Sequence, residues 1–345
     1  MTKAALLKSI NFLLFFGLSL VLMYFAFKNV SISILAEGLH KANYSWLALS
    51  LSVGILAFLL RALRWRLLIE PLGYKPSVAN AFHAVAIGYL VNFALPRAGE
   101  VSRCGILRKT EKIPFESLVG TVIVERTFDL VCLLILLASV FFIEVDVFGN
   151  FIYNLAVEPL NRKLVGLGGS YLPFVATLGL TSGLLLICYR YRHQLRKYRF
   201  IAKLFKLAKG VLMGIKTGFT MERRVEFVIY TLLIWSCYLI MTWVVFYTIP
   251  ATSHLGIADA LFILAVSSIG MTVPVQGGFG AFHIAVSLGL TLYGVSKEDG
   301  LLYATISHES QAIGTIIIGL ISLTYIFVRK QKPVKATSHE QDQEH

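Results

Sequence analysis

Residues Asn92 to Arg103 read Asn-Phe-Ala-Leu-Pro-Arg-Ala-Gly-Glu-Val-Ser-Arg, which sets the Glu100 carboxylate between the guanidiniums of Arg97 and Arg103, just after a Pro96-x-x-Gly99 break. Arginine presents a planar fork suited to phosphate, and helix ends freed at such a break add backbone dipoles. The chemistry is recognition of an anionic headgroup; the alternative is an ion pair in which Glu100 neutralises Arg97 or Arg103. A second set, Glu125-Arg126-Thr127-Phe128-Asp129, stands inside an apolar run. Glu125 and Asp129 share one helix face at i,i+4, while Arg126 is turned about 100° away, towards a carboxylate on another element such as Glu100. Charges at membrane depth mark sites by default, although a structural ion pair holding a bundle together reads equally well. The third set is Pro274-Val275-Gln276-Gly277-Gly278-Phe279-Gly280 with His283 after it; separately, His308-Glu309 opens the last apolar run. An intramembrane histidine can relay protons, but more often it hydrogen-bonds within its bundle. Arg61, Arg64, Trp65 and Arg66 close the second apolar run and read as an anchor at the aqueous interface rather than a site.

The elements that must position these residues follow from composition. Of 345 residues, 57% are hydrophobic and 15% charged, and the mean hydropathy is +0.73; a soluble domain is about 25% charged. The surplus of apolar residues must face lipid. The net charge of +13 sits in gaps between apolar runs and not on a polar surface, which argues against nucleic acid as a partner. Cys104, Cys132, Cys188 and Cys237 form no CxxC pair, so neither a disulfide framework nor a metal centre is expected. A bilayer core needs about 20 apolar residues per helix. Residues 9–27, 42–60, 118–143, 171–189, 227–249 and 310–328 meet that length, the first as a retained helix and not a signal peptide. Two further stretches, 78–110 and 257–295, are broken by the proline and glycine motifs. Such breaks survive in lipid only where protein or a water-filled cavity supplies partners for the loosened backbone.

Loop charge sets the orientation. Residues 61–77 carry +3 and residues 190–224 carry +10, whereas 144–170 and 296–299 each carry −1. By the positive-inside rule both termini are cytoplasmic. The parity of crossings then makes 78–110 a re-entrant hairpin entering from the inner side, and 257–295 leaves and returns on the outer side as a hairpin or as two full spans. The fold class is therefore an all-α polytopic membrane protein with about six full spans and two broken or re-entrant elements. Residues 1–328 make one membrane domain, with halves of about 1–145 and 165–328 related as an inverted repeat, a pattern that points to a transport site. Residues 196–216 read as an amphipathic helix on the inner leaflet, and 329–345 as a disordered cytoplasmic tail.

At these residues the sequence resembles the flippase-like membrane region of the lysylphosphatidylglycerol synthase (multiple peptide resistance factor) family. The resemblance is carried by Asn92 to Arg103, by Glu125-Arg126-x-x-Asp129, by Arg64-Trp65 and by Pro274 to Gly280, and it covers about residues 9–328. Gln276 stands where that family often has a second proline, and His283 where it often has glutamate. The resemblance implies a prokaryotic cytoplasmic membrane protein that handles and translocates lipid. No soluble aminoacyl-transferase domain lies in these residues, so lysine transfer is not implied. Nor do they contain a GxxxxGK[ST], GxSxG or HExxH motif, so no catalytic residue and no cofactor is expected. The leading expectation is a flippase or transporter for an anionic phospholipid or polyprenyl-linked lipid, with Asn92, Pro96, Arg97, Gly99, Glu100, Arg103, Glu125, Arg126, Asp129, Pro274, Gln276, Gly277, Gly278 and His283 as its headgroup or translocation residues. The alternative is a membrane subunit of, or scaffold for, a separately encoded glycosyl or aminoacyl transferase that modifies lipid.

Overall fold

The computed structural model describes residues 3–28, 30–95, 98–143 and 221–329. The expected span at 171–189, the amphipathic helix at 196–216, the tail beyond Arg329, and Pro96 and Arg97 lie outside the described residues. The described chain is all-α: α1 (Lys3–Phe27), α2 (Ile32–Lys41), α3 (Tyr44–Ile69), α4 (Val78–Ala94), α5 (Gly99–Glu111), α6 (Phe115–Ile143), α7 (Arg224–Val245), α8 (Ile257–Thr272), α9 (Ala281–Thr291) and α10 (Lys297–Arg329). Among the described residues four segments are long and apolar enough to cross a bilayer: Tyr44–Leu72, Phe115–Ile143, Arg224–Thr248 and Lys297–Val328. Large apolar side chains such as Leu13, Phe142, Leu232 and Ile321 point outward, which a lipid surround rewards and water does not. The molecule is a multi-pass membrane protein.

α3 runs antiparallel to α7. Leu67 and Leu68 pack on Phe227 at one end, and the Asn43 amide donates to the Thr248 carbonyl at 2.8 Å at the other. α3 also continues to Ile69 instead of stopping near residue 60, because Arg61 and Arg64 find partners inside the bundle and no longer have to mark its edge. α10 likewise starts at Lys297, well before Ser310, so His308 and Glu309 lie within the helix rather than at its opening. Polar residues do not end a transmembrane helix when neighbouring elements satisfy them.

Each broken stretch is a hairpin that returns to the end from which it came. In the first, α4 and α5 are tied at their base by Glu111, whose Oε1 accepts from the Ser77 amide at 2.9 Å and from Asn80 Nδ2 at 2.7 Å. This base packs with Trp65 and Ile69 of α3 and Leu118 of α6. In the second, α8 and α9 pack with the end of α7 and the start of α10 around Phe246, Phe262 and Tyr303. These two cores occupy opposite ends of α3 and α7, so the hairpins enter from opposite faces. Their tips meet in the middle, where the Phe93 and Phe279 rings are 6.4 Å apart.

The breaks have distinct local causes. Leu95, the residue before Pro96, is extended at φ −134° and ψ 104°, as proline demands of its predecessor. Asn92 Oδ1 then accepts from the Gly99 amide at 2.7 Å and supplies an acceptor to the first turn of α5. The second break uses Gly277, Gly278 and Gly280, all at positive φ, a region that only glycine enters without strain. The hairpin itself closes on Gly99: a Cβ there would lie 2.0 Å from the Gly88 carbonyl oxygen and 2.6 Å from Asn92 Cγ, whereas one on Gly105 would meet nothing within 4 Å. Gly99→Ala is therefore expected to destabilise the protein by about 1–3 kcal/mol or more, and Gly105→Ala, one α5 position with room, to be neutral or slightly stabilising. Thermal unfolding of both variants in detergent checks this, and equal midpoints would contradict the close packing of the hairpin.

Candidate functional site

A carboxylate held without water needs opposite charge and hydrogen bonds on every side. Glu125, fully buried one-third of the way along α6, has opposite charge at both oxygens and hydrogen bonds at Oε1, while Oε2 is ion-paired without one. Its Oε1 meets Arg61 Nη1 at 3.0 Å, Arg64 Nη2 at 3.3 Å and Arg126 Nη2 at 2.9 Å, and its Oε2 meets Arg103 Nη1 at 3.0 Å. Asp129, one turn on, meets Arg64 at 2.7 Å, Arg61 at 3.3 Å and Arg126 at 3.6 Å. The i,i+4 pair read from the sequence is thus matched by Arg61 and Arg64 at i,i+3 on α3.

The guanidiniums are fixed by a surround of aromatic and hydroxyl groups. Arg61 Nε donates to the Tyr238 hydroxyl at 2.6 Å and lies against the Tyr89 ring. Arg64 donates to Thr231 Oγ1 at 3.3 Å. Arg103 lies 4.6 Å from the Trp65 ring centroid, and Trp65 Nε1 donates to Thr121 Oγ1 at 2.9 Å. Cation–π contact of this kind is strongest where both partners are desolvated. The interface-anchor reading of Arg61, Arg64 and Trp65 is therefore corrected: all three are buried, and of that group Arg66 alone turns to the rim, where its Nε donates to the Pro76 carbonyl at 2.7 Å. The signal that could have found them is the absence of any helix-ending residue between Leu60 and Ile69, which keeps Arg61 and Arg64 at the depth of the α6 carboxylates.

Glu100 does not pair with Arg103, which is committed to Glu125. Among the described residues the cation it meets is Arg126, with Nη1 4.0 Å from Glu100 Oε1. Arg126 is the most exposed of the set, at 40% of its side chain, and its strongest partner is the adjacent Glu125. The two residues stand at a junction. On one side is a recess of about 50 Å³ reaching Gly88, Asn92, Gly99 and Arg103. On the other is an apolar groove of about 370 Å³ between α5 and α6, walled by Val101, Val119, Val122, Ile123 and Leu130. Beyond the recess, Tyr89 and Asn92 also border a central cavity of about 270 Å³ that reaches Arg61, Phe93, Gly277 and His308.

The second hairpin contributes its turn to that cavity. Phe93 lies so close to Gly277 that a Cβ there would be 2.7 Å from Phe93 Cδ1. Gly278 and Gln276 are buried behind it; the Gln276 amide donates to Ser19 Oγ of α1 at 3.2 Å, and Pro274 initiates the turn. His283 is turned away from the charged cluster and pairs with Glu309 at 3.0 Å. His308, from α10, donates through Nε2 to the Gly277 carbonyl at 2.7 Å. Weighed singly in the sequence, His283, His308 and Glu309 come together and are, among the described residues, the group that could hold a metal ion.

Comparison with known proteins gives these features a family. A UPF0104 membrane protein of Methanocaldococcus jannaschii is 29% identical over 131 residues, 37% of this chain and 37% of that protein. The match thus spans little more than a third of the relative's length. No solved structure matches the chain. The family described as "Lysylphosphatidylglycerol synthase TM region" matches residues 12–319, which takes in both hairpins and every member of the charged cluster. The chain belongs to the lysylphosphatidylglycerol synthase transmembrane-region family.

Proposed function

We propose that this protein moves an anionic lipid, a phospholipid or a polyprenyl-linked lipid, between the leaflets of a prokaryotic cytoplasmic membrane. One observation carries the reading: four guanidiniums face three carboxylates, and four of their buried N–H positions have no acceptor even though Glu100 Oε2 and Glu125 Oε2 also lack a hydrogen bond. Arg61, Arg64, Arg103 and Arg126 face Glu100, Glu125 and Asp129, and Arg64 Nε, Arg103 Nε, Arg103 Nη2 and Arg126 Nε are buried donors without an acceptor. An unmatched donor in an apolar surround is costly, and a phosphate offers the multiple charged acceptors that a guanidinium fork takes best. Glu100 Oε2 is in turn a buried acceptor without a donor, placed for a headgroup hydroxyl or ammonium. The groove between α5 and α6 suits an acyl or prenyl chain, with Arg126 at the point where it meets the recess. A family named for the membrane region of a phospholipid synthase fits the same cargo class.

Orientation is part of the proposal. Arg66, Lys75, Arg108, Lys109 and Lys112 gather at the base of the first hairpin, whereas the loop joining α9 to α10 carries no charge and the first turn of α10 offers only Lys297 against Glu298 and Asp299. That asymmetry supports placing the first hairpin's base and both termini in the cytoplasm.

Liposomes holding the purified protein and a fluorescent anionic phospholipid measure the activity through dithionite-accessible signal. Wild type is expected to exchange lipid between leaflets well above empty vesicles. Arg126→Ala and Arg103→Ala should each slow exchange at least tenfold, the loss of a charge-assisted pair of about 1.5–3 kcal/mol. Exchange equal to empty vesicles across anionic phospholipids and polyprenyl phosphates would overturn the reading, and covalently altered lipid in place of exchange would favour the transferase-subunit alternative.

Stability should separate the deep members of the cluster from the edge. Arg64→Ala leaves Asp129 and Glu125 short of a buried partner and is expected to cost about 3–5 kcal/mol. Arg126→Ala, at a half-exposed position, is expected to cost about 1 kcal/mol or less. Unfolding midpoints in detergent test the difference, and equal losses would mean that Arg126 is as structural as Arg64.

A further inference from the structure

The cluster on the far side of the second hairpin has a chemistry of its own. His308 Nε2 lies 2.7 Å from the Gly277 carbonyl. A carbonyl can only accept, so the Nε2 position carries the proton and Nδ1 of a neutral ring presents its lone pair. That Nδ1 is buried, has no hydrogen-bond partner, and faces Glu309 Oε2 at 3.6 Å. Glu309 also stands 3.0–3.1 Å from His283 Nε2. Both histidines are more than nine-tenths buried. A carboxylate and a lone pair that face one another in an apolar surround repel unless a cation lies between them.

We infer that His283, His308 and Glu309 form a binding site for a divalent transition ion of the zinc class, clamping α9 to α10 behind the glycine turn. Two imidazoles and a carboxylate are a ligand set suited to such ions. One donor atom from each residue lies within 4.8 Å of the others. A tetrahedral ion with bonds of about 2.0–2.1 Å sets its ligands about 3.4 Å apart, so the His283–Glu309 and His308–Glu309 separations already fit and the two rings need only close on one another. The Gly277 carbonyl on the far nitrogen of His308 is the kind of outer partner that fixes the tautomer and orientation of a metal-ligating histidine. Three protein ligands leave a fourth position open. A single shared proton would account for one imidazole beside the carboxylate, but not for a second imidazole with its own unmatched nitrogen directed at the same group. This site stands independently of the anionic-lipid reading.

Cobalt(II) is the probe, added to the full chain in detergent after removal of any affinity tag and of bound metal. Wild type is expected to take one equivalent, with the visible bands of four-coordinate cobalt, and to lose them on addition of zinc. His283→Ala, His308→Ala and Glu309→Gln should each weaken uptake at least tenfold, while His40→Ala with His254→Ala, both surface positions, should leave it unchanged. Zinc should also raise the unfolding midpoint of wild type and not of Glu309→Gln, a near-isosteric change that tests the site even where an alanine variant fails to fold. Wild type that takes up no cobalt, or takes it up no differently from Glu309→Gln, overturns the inference.

Discussion

Burying the Glu125 carboxylate at membrane depth constrains nearly everything around it. Left without partners there it would be prohibitively costly, so α3 must bring Arg61 and Arg64, α5 must bring Arg103, and α6 must turn its own Arg126 back towards it. Those demands fix the depth of α3, the docking of the first hairpin and the rotation of α6 at once. The guanidiniums carry the same requirement in reverse, and they meet it with Tyr238, Thr231 and the ring of Trp65 as well as with carboxylate. The surplus of positive charge is what remains of that bargain, and its exposed member, Arg126, lies at the edge of the cluster beside the α5–α6 groove.

A second constraint acts through the backbone. Each hairpin tip frees amides and carbonyls that lipid cannot satisfy, and each is answered by a side chain from elsewhere. Asn92 takes the Gly99 amide, Ser19 takes the Gln276 amide, and His308 donates to the Gly277 carbonyl. The solutions differ because the breaks differ. The first uses a proline with one tightly packed glycine, so the hairpin legs close on one another; the second uses three glycines at positive φ, so its turn can lie against Phe93 and against the backbone of α1 near Leu22. Both tips consequently wall the same central cavity, which is what two hairpins inserted from opposite faces must do if neither crosses the membrane.

Much of this was legible in the sequence. Uncharged runs of the right length located α3 and α7, a run of that length with charges inside it located α6, and the Pro-x-x-Gly motifs located both breaks, because apolar length and backbone chemistry are local properties. Charges inside α6 were recognisable for the same reason. Partner choice was not. Glu100 stood between two arginines in sequence, yet helix geometry sends Arg103 inward to Glu125. Arg61, Arg64 and Trp65 read as a rim because nothing local distinguishes the end of a span from a span that continues past buried charges. His283 and His308 could each be weighed from the sequence only as a lone intramembrane histidine, and only the packing of α9 on α10 joins them with Glu309. Arg97 remains a sequence-based member of the site, beyond the described residues.

Within the charged cluster, depth divides labour. Arg64 and Glu125 are fully buried, and Arg103 nearly so; replacing any of their contacts by a ligand would mean breaking a pair whose partner cannot reach water. Arg126 and Glu100 are different. They are 40% and 30% exposed, and at 4.0 Å their contact is longer than a hydrogen bond. A phosphate that took Arg126 and a hydroxyl or ammonium that took Glu100 would replace one weak contact with two charge-assisted hydrogen bonds, each stronger than the pair it displaces. The inner arginines then need not move at all. On the proposed reading they would hold the local potential positive while the outer pair exchanged partners, so a headgroup would be bound and released without dismantling the ion pairs that keep the bundle together.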